Sequence, residues 1–471
     1  RRARLFVSPK RMTGFSSFLH AGTPSSGLLR PRHGVGGLTW TALFVAFCAV
    51  HVVVTARWMV LPFPLEYREW AHVAAARTLA AGASPYEPGS GFYLYGFLYP
   101  GLGALWQRCT GTDPAFFLRL LSYLCTWAAA LLAAGEVRRR AGGVAAPAAG
   151  AALLLCVDWL NVTGSAHPAP LGTLLLVVAC LSARKGQAWA AALPVVAAFY
   201  VKPYFLAVLL PLGLYFLATG RRRFLHFLCA FLLAGCLSVW GVRQLWPGYF
   251  VCNVVHHFNM STFSLPHLAR QLVWLGVFFF PLATVAAVAL WRRPALLLRD
   301  VWLLSAVALF IVWLRLAGHV GAFLSYACQL WLPPLVVFAL SPGVGLRLFP
   351  GFRTAFFPLL LVCSLGVSSW RFTLVPPPTG EQRAAWRQAQ ADVRRAAASP
   401  SLCFSPLFAG TAEGGKMVCL NTGETEYAPR SVPTARPCSV FFPKQSASGR
   451  LPAVSAGGSM LCSLRAVFRW S

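Results

Sequence analysis

A chain of 471 residues that is 57% hydrophobic and only 11% charged is not an ordinary soluble protein, in which about 25% of residues carry charge. Its formal net charge of +29 would suit nucleic acid, but the Lys and Arg residues fall in short clusters between apolar runs of near-membrane length. With a mean hydropathy of +0.62, this pattern excludes a nucleic-acid partner and predicts an all-α polytopic membrane protein, attracted through its basic clusters to anionic membrane lipids.

The first 38 residues hold seven Lys or Arg and no acid, which places residues 1–38 in the cytoplasm. No short apolar core with a small-residue cleavage site follows them, so they do not read as a secretory signal. The first apolar run covers about 39–57. Further basic clusters stand at Arg138–Arg140, Arg184–Lys185, Arg221–Arg223, Arg292–Arg293 and the Arg347/Arg353 pair. All fall on the cytoplasmic side if "FYLYGFLYPGLGALWQ" (92–107) is an external juxtamembrane helix. That run contains Pro100 and several glycines and is shorter than the roughly 20 residues needed to cross. The spans are then 39–57, 115–135, 143–160, 168–183, 187–201, 203–219, 224–242, 268–291, 300–317, 320–340 and 354–371. This gives about 11 transmembrane helices within 39–371, with the N-terminus cytoplasmic and the C-terminus outside.

Three segments lie outside on this scheme: the loop 58–114, the loop 246–267 and the tail from 372. The tail opens with a polar, alanine-rich helix at 381–398, and "SLCFSPLFAGTAEGGKMVCLN" reads as two short strands around a turn. Residues 372–430 thus form a small external α/β-like segment, and 431–471, without periodicity, read as disordered. Of the 14 cysteines most sit in spans as small apolar residues. Cys403 and Cys419 share the tail, where an oxidising compartment would let them pair. No Cys/His spacing resembles a zinc site, and no P-loop, dinucleotide fingerprint or nucleophile elbow is present. "NMS" (259–261) and "NVT" (161–163) fit the glycosylation sequon.

Acidic residues are scarce, with seven before residue 380, yet Glu66 and Glu69 stand three apart just after the first span. From Trp70 to Ala81 the residues are strong helix formers, and Gly82 is a natural stop. The pair therefore sits at a helix N-terminus, where free N–H groups favour carboxylates. Capping at a water interface explains such acids equally well. A carboxylate beside a basic, partly lipidic cleft also suits general-base chemistry on a hydroxyl. Lys202 stands out because it lies at the outer end of a span, against the charge trend, although a lysine there can also anchor at the interface. Asp158 and Asn161 end the third span as polar groups.

"EYREWAHVAAARTLAAGASPY" followed by "YLYGFLYP" resembles the first external loop of the GT-C superfamily of membrane glycosyltransferases, nearest the bacterial branch related to protein mannosyltransferases. The second element is matched by Tyr95, Gly96, Leu98, Tyr99 and Pro100, with Phe97 in place of the usual Pro. In chain order, "YVKPYFLAVLLPLGLYFLATGRRR" is similar to the family's Lys-bearing turn and "WPGYFVCNVVHHFNMSTFS" to its Asn-containing external loop. "GHVGAFLSYACQLWLP" is similar to its Gly-Ser-x-x-Asn-Tyr segment. The likeness covers roughly 60–420. It departs where the family has Arg-Pro-Asp and this chain has His167-Pro168-Ala169. His319 stands for a Lys, Ser325 for an Asn, and Trp70 for a Gly.

The resemblance implies a GT-C-like bundle with external juxtamembrane helices, and a polyprenyl-phosphate-linked sugar as donor at the extracytoplasmic face of a bacterial cell envelope. The acceptor is a glycan, lipid or protein hydroxyl, and transfer inverts the sugar. Glu69 is the expected base, with Glu66 as its neighbour or as the base itself; two carboxylates so close also suit a divalent cation. Lys202, Arg243 and His319 are expected at the leaving phosphate. Tyr95, Tyr99, His256, His257, Asn259 and Tyr326 are expected at the substrates, although the tyrosines and Trp246 also suit an interfacial aromatic belt. The competing class is a lipid or small-molecule transporter or flippase, which would show internal repeats and midspan charges; the sequence shows neither.

Overall fold

The structure is a computed structural model that describes residues 35–60, 69–86, 93–141, 165–256, 263–292, 294–319 and 325–341, with scattered positions in 380–388 and the pairs 402–403 and 418–419. The expected spans 143–160 and 354–371 lie outside these residues, as do Glu66, Asp158, His257 and Asn259. The described chain is helical apart from one two-residue strand pair.

Helix α1 covers Val35–Met59, α2 Glu69–Ala80, α3 Leu98–Thr110 and α4 Pro114–Ala141. Next come α5 (Ala169–Arg184), α6 (Ala188–Phe199), a 3-10 turn at Pro203–Val208, α7 (Leu209–Thr219) and α8 (Arg221–Leu245). A π-helical turn at Val251–His256 precedes α9 (Leu265–Arg292), α10 (Leu296–Arg299), α11 (Val301–Ala317), α12 (Ser325–Leu330) and α13 (Leu332–Ala339). The α2 stop follows the expected chemistry: Gly82 takes φ +82°, and Ala83 N donates to Thr78 O at 3.0 Å, closing a left-handed C-cap.

Two expectations are corrected. The described part of the run 320–340 is not one continuous helix: α12 ends at Leu330, Trp331 is a turn, and α13 starts at Leu332. Pro333 and Pro334 cause the break, because proline fits the first turn of a helix but cannot accept continuation from the one before. The strands Leu402–Cys403 and Val418–Cys419 do form, but they pair in parallel, with Cys403 in register opposite Cys419. Strands joined by a tight hairpin turn pair antiparallel, so this pairing differs from the expected one.

Helices α4 and α8 are long and apolar enough to cross a membrane. The outward face of α8 carries Leu232, Leu233, Leu237, Val239 and Trp240 exposed, a continuous apolar stripe that belongs against lipid rather than water. Inside, α5 packs on α4 and α6, α6 on α8, and α11 on α7 and α13. The two helices bury Ala179, Ala183, Ala188, Ala191 and Ala192; small residues let packed backbones approach closely.

The basic helix ends meet at one end of the bundle. Glu136, fully buried, accepts from Arg140 Nε at 2.6 Å. It also lies 2.8 Å from Arg184 Nε, an ionic contact whose N–H is not aligned as a hydrogen bond. Arg140 Nη1 donates to Asp300 Oδ2 at 2.7 Å. Asp300 Oδ1 caps α11 by accepting from Trp302 N and Leu303 N. This network fastens α4, α5 and α11 together. The opposite end of α4 lies about 26 Å away by helix rise, and it holds a second buried charged group.

Candidate active site

At that second end Glu69 opens α2 and is 2% exposed. Its Oε1 accepts from Arg119 Nε at 2.5 Å and from Ala166 N at 2.9 Å, and its Oε2 accepts from Arg119 Nη2 at 3.2 Å. Arg119, in the second turn of α4, also donates from Nη1 to Met59 O at 3.0 Å. One ion pair thus ties the end of α1, the start of α2, α4 and the segment before α5. Among the described residues no group of three or more His, Cys, Asp or Glu is placed to hold a metal ion.

One turn along α2, His72 is fully buried. Its Nδ1 is 2.7 Å from Tyr93 Oη, and its ring meets those of Tyr95 at 4.9 Å, His167 at 5.7 Å and Tyr99 at 5.9 Å. Tyr99 is a core residue: its hydroxyl donates to Leu118 O at 2.7 Å and contacts Ser122 Oγ at 2.7 Å. Burial pushes its phenol well above the ordinary value of 10, and its hydroxyl ties α3 to α4. His167 Nδ1 accepts from Ala169 N at 3.2 Å, capping the start of α5.

Lys202 completes the cluster. Helix α6 ends at Phe199, and Pro203 forces the residue before it out of helical geometry. Lys202 accordingly takes φ −152° and ψ 130°. Its side chain is 2% exposed, with the ammonium 5.1 Å from the Tyr95 ring, 5.6 Å from Tyr204 and 5.7 Å from Tyr326. The Tyr204 hydroxyl donates to Gln329 Oε1, so two of the three rings come from the turn after α6 and from α12. Desolvated cations on tyrosine faces are held by the ring quadrupole, and a buried ammonium in such a box is a ready partner for an anion.

Register between the Tyr95 and Lys202 segments is set by backbone. Gly96 N donates to Val201 O at 3.2 Å and Leu98 N to Tyr200 O at 2.9 Å. A Cβ on Gly96 would lie 1.9 Å from Tyr200 O. Gly96→Ala should therefore push the two segments apart, costing about 1–3 kcal/mol as overpacking does. It should lower the thermal midpoint of the purified protein and separate Tyr95 from Lys202; an unchanged midpoint would show that the strands of backbone slide freely.

The π-helical turn joins from α8. Tyr249 packs on Tyr86, Phe97 and Tyr200, and Trp246 on Tyr86 and Phe97. Asn253 is fully buried, and neither its amide nitrogen nor its oxygen has a hydrogen-bond partner.

Solved structures share the overall fold. The chain has an ArnT-like fold. It is similar to ArnT from Cupriavidus metallidurans bound to undecaprenyl phosphate, at 13% identity and TM-score 0.56, over 80% of this chain and 86% of that one. The apo ArnT structure of the same organism gives 15% identity and TM-score 0.50, over 77% and 66%. No protein-family model matches the sequence, and no curated protein matches it.

Within this ArnT-like fold, Tyr95, Lys202 and Tyr326 come together, and Glu69 is held by Arg119 and Ala166 N one turn of α2 before His72, which packs on Tyr95. Arg243 is exposed in the last turn of α8. His319 is half-buried, pairs with Phe263 across a β-bridge and contacts Arg315 Nη1. His256 ends the π-helical turn. Sequence reasoning missed Arg119, His72, Tyr93 and Tyr204, and it counted His167 only as a lost acid. Arg119 carried a readable signal, since it is a cation at the same end as Lys202, against the charge trend.

Proposed function

We propose that the chain is an integral membrane glycosyltransferase that moves a sugar from a polyprenyl-phosphate donor to an acceptor hydroxyl, with inversion, at the extracytoplasmic face of a bacterial inner membrane. The carrying observation is Lys202, a buried ammonium ringed by three tyrosines at the end of an ArnT-like bundle. It suits the phosphate that develops charge as the sugar leaves. ArnT itself has been seen with undecaprenyl phosphate, which is the chemistry a cation there would hold. Tyr95 and Tyr326 would flank the sugar. Arg243 and His319 would join Lys202 at the donor phosphate, and His256, His257 and Asn259 would contact the substrates. The eleven-span topology, with the basic helix ends in the cytoplasm and residues 372–430 outside, belongs to the same proposal. Glu136 and its arginines, gathered at one end, are consistent with the positive-inside arrangement.

A transporter requires its charged site near the bilayer midplane. Glu69, Arg119 and Lys202 instead sit at helix ends, with Arg119 about 26 Å along α4 from Glu136, which favours the transferase. The test is binding and turnover. Lys202→Ala removes a charge-assisted contact worth roughly 1.5–3 kcal/mol, so undecaprenyl phosphate should bind about 10- to 100-fold more weakly. Lys202→Arg should keep part of the affinity. Unaltered lipid-phosphate binding in the alanine variant would reduce Lys202 to a structural cation.

A further inference from the structure

We propose that the basic end of the bundle holds a discrete site for one anionic phospholipid, with its phosphate at the α5/α6 and α7/α8 turns and its acyl chains along α7 and α8. This inference needs only the membrane placement of the bundle, not the transferase reading. The charge balance singles out these turns. Arg140 and Arg184 are matched by Glu136 and Asp300, the acids packed at this end among the described residues. Lys185, Arg221, Arg222 and Arg223 are exposed, and none of them makes a hydrogen bond or ion pair among the described residues. Their counter-charge has to come from outside the chain.

The two turns meet. Gly186 takes φ +73°, a left-handed conformation that lets the chain reverse from α5 into α6. A Cβ added there would lie 3.5 Å from Arg223 Cζ, so the first turn of α8 lays a guanidinium on the α5/α6 turn, next to Lys185. Arg184 directs Nε at Glu136, 2.8 Å away, and makes no hydrogen bond among the described residues, which leaves its terminal nitrogens available. Tyr215, half-buried on α7, lies within electrostatic reach of both Arg184 and Arg223. Its hydroxyl has no hydrogen-bond partner among the described residues. Two guanidinium groups, an ammonium and a phenol thus converge from α5, α7 and α8. Phosphate oxygens take several such donors at once, through charge-assisted hydrogen bonds.

The apolar faces decide the rest of the ligand. Leading away from the same turn, α7 exposes Leu217, Leu214 and Leu210, and α8 exposes Leu225, Leu232 and Leu233. Spacings of three, four, seven and eight put each trio on one side of its helix. Helices α7 and α8 pack as neighbours joined at Gly220, so both stripes begin at the arginines. A phosphodiester with two acyl chains matches this surface at both ends: its charge meets the cations and a chain lies along each stripe. Free phosphate would satisfy the cations and leave the leucines bare. A zwitterionic lipid brings an ammonium that the arginines repel. Basic groups between helices at a membrane surface gather anionic headgroups for the same reason.

The experiment uses the full chain in a neutral detergent, with the thermal midpoint titrated against four probes: dioleoyl phosphatidylglycerol, dioleoyl phosphatidylcholine, undecaprenyl phosphate and inorganic phosphate. Phosphatidylglycerol should raise the midpoint saturably, and phosphatidylcholine and inorganic phosphate should not. Lys185→Gln combined with Arg223→Gln should weaken phosphatidylglycerol binding about 10- to 100-fold, as loss of charge-assisted contacts does. Both side chains are exposed, so the lipid-free midpoint should hardly move. Tyr215→Phe should weaken binding about 5-fold. Lys185→Arg combined with Arg223→Lys keeps the charge and should keep most of the affinity. Arg138→Gln combined with Arg139→Gln removes as much charge from the end of α4 and should leave the affinity nearly unchanged, as should Lys202→Ala at the opposite end. Equal weakening by the Arg138 and Arg139 substitutions would reveal a diffuse attraction and overturn the discrete site. Stabilisation by phosphatidylcholine or inorganic phosphate as strong as by phosphatidylglycerol overturns the choice of ligand. A phosphatidylglycerol response that survives the Lys185 and Arg223 glutamine substitutions, or disappears in Lys202→Ala, places the lipid elsewhere and sinks the proposal. So does a response to undecaprenyl phosphate that falls with Lys185 and Arg223 rather than with Lys202, because the turns would then hold the polyprenyl lipid.

Discussion

Glu69→Gln should damage the fold before it reveals anything about chemistry. The substitution keeps an acceptor oxygen for Ala166 N but removes the charge opposite Arg119, whose side chain is 6% exposed. Breaking a buried ion pair from one side costs about 3–5 kcal/mol, because the remaining charge stays desolvated. The expected result is a markedly lower thermal midpoint and a smaller monodisperse fraction in detergent. Arg119→Met should be similarly harmful, since it strands the carboxylate. The double variant, Glu69→Gln with Arg119→Met, removes both charges and should recover most of the loss, a coupling that a double-mutant cycle reads directly. The recovered protein then separates two roles for Glu69. Substantial transfer would make the glutamate an anchor that orients α2 and His72. Transfer still depressed by about two orders of magnitude, in a folded double variant, would make Glu69 the base. If the single variants are as stable as the natural chain, the ion pair is not what joins α1, α2 and α4.

The bundle was largely legible because hydropathy and charge are local properties. The stretches 115–135, 168–183, 203–219, 224–242, 268–291 and 300–317 each contain or overlap a helix at nearly the expected place. The stop at Gly82 and the short helix within 92–110 follow from the same local chemistry. The break at Trp331 was readable too, in Pro333 and Pro334, but a window that averages hydropathy passes over two prolines in an apolar run. Lys202 was found because a lone cation at the wrong end of a span is an anomaly on any charge map. His72 was not, because nothing local marks it. Its neighbours Tyr93, Tyr95 and His167 are 21, 23 and 95 positions away and reach it only through tertiary packing. The same holds for Glu69. Its place at a helix start was visible, but the partner that occupies it, Arg119, is 50 residues on.

At the far end of α4, Glu136→Ala should be the second most damaging substitution, and for a reason the charge map obscures. Counting basic clusters treats Arg140 and Arg184 as free positive charge, yet both lie against one fully buried carboxylate. Alanine there would leave two guanidinium groups facing each other without the acid between them, at a cost of about 3–5 kcal/mol. Arg140 would keep Asp300 at 2.7 Å, but α5 would lose its ionic tie to α4. Asp300→Asn is the informative comparison. Asparagine caps a helix as well as aspartate does, so Oδ1 can still serve Trp302 N and Leu303 N. Arg140 would keep Glu136, and the groups concerned are 18–19% exposed, where water screens the loss. Thermal unfolding in detergent should therefore rank Glu136→Ala well below Asp300→Asn, and Asp300→Asn close to the natural chain. Transfer per folded molecule should be unchanged in both, because the network stands about 26 Å from Arg119. Equal midpoints for the two variants would mean that the basic end is held by apolar packing of α4, α5 and α11 alone. A loss of turnover without a loss of stability would mean that the two ends of α4 are coupled through more than the helix between them.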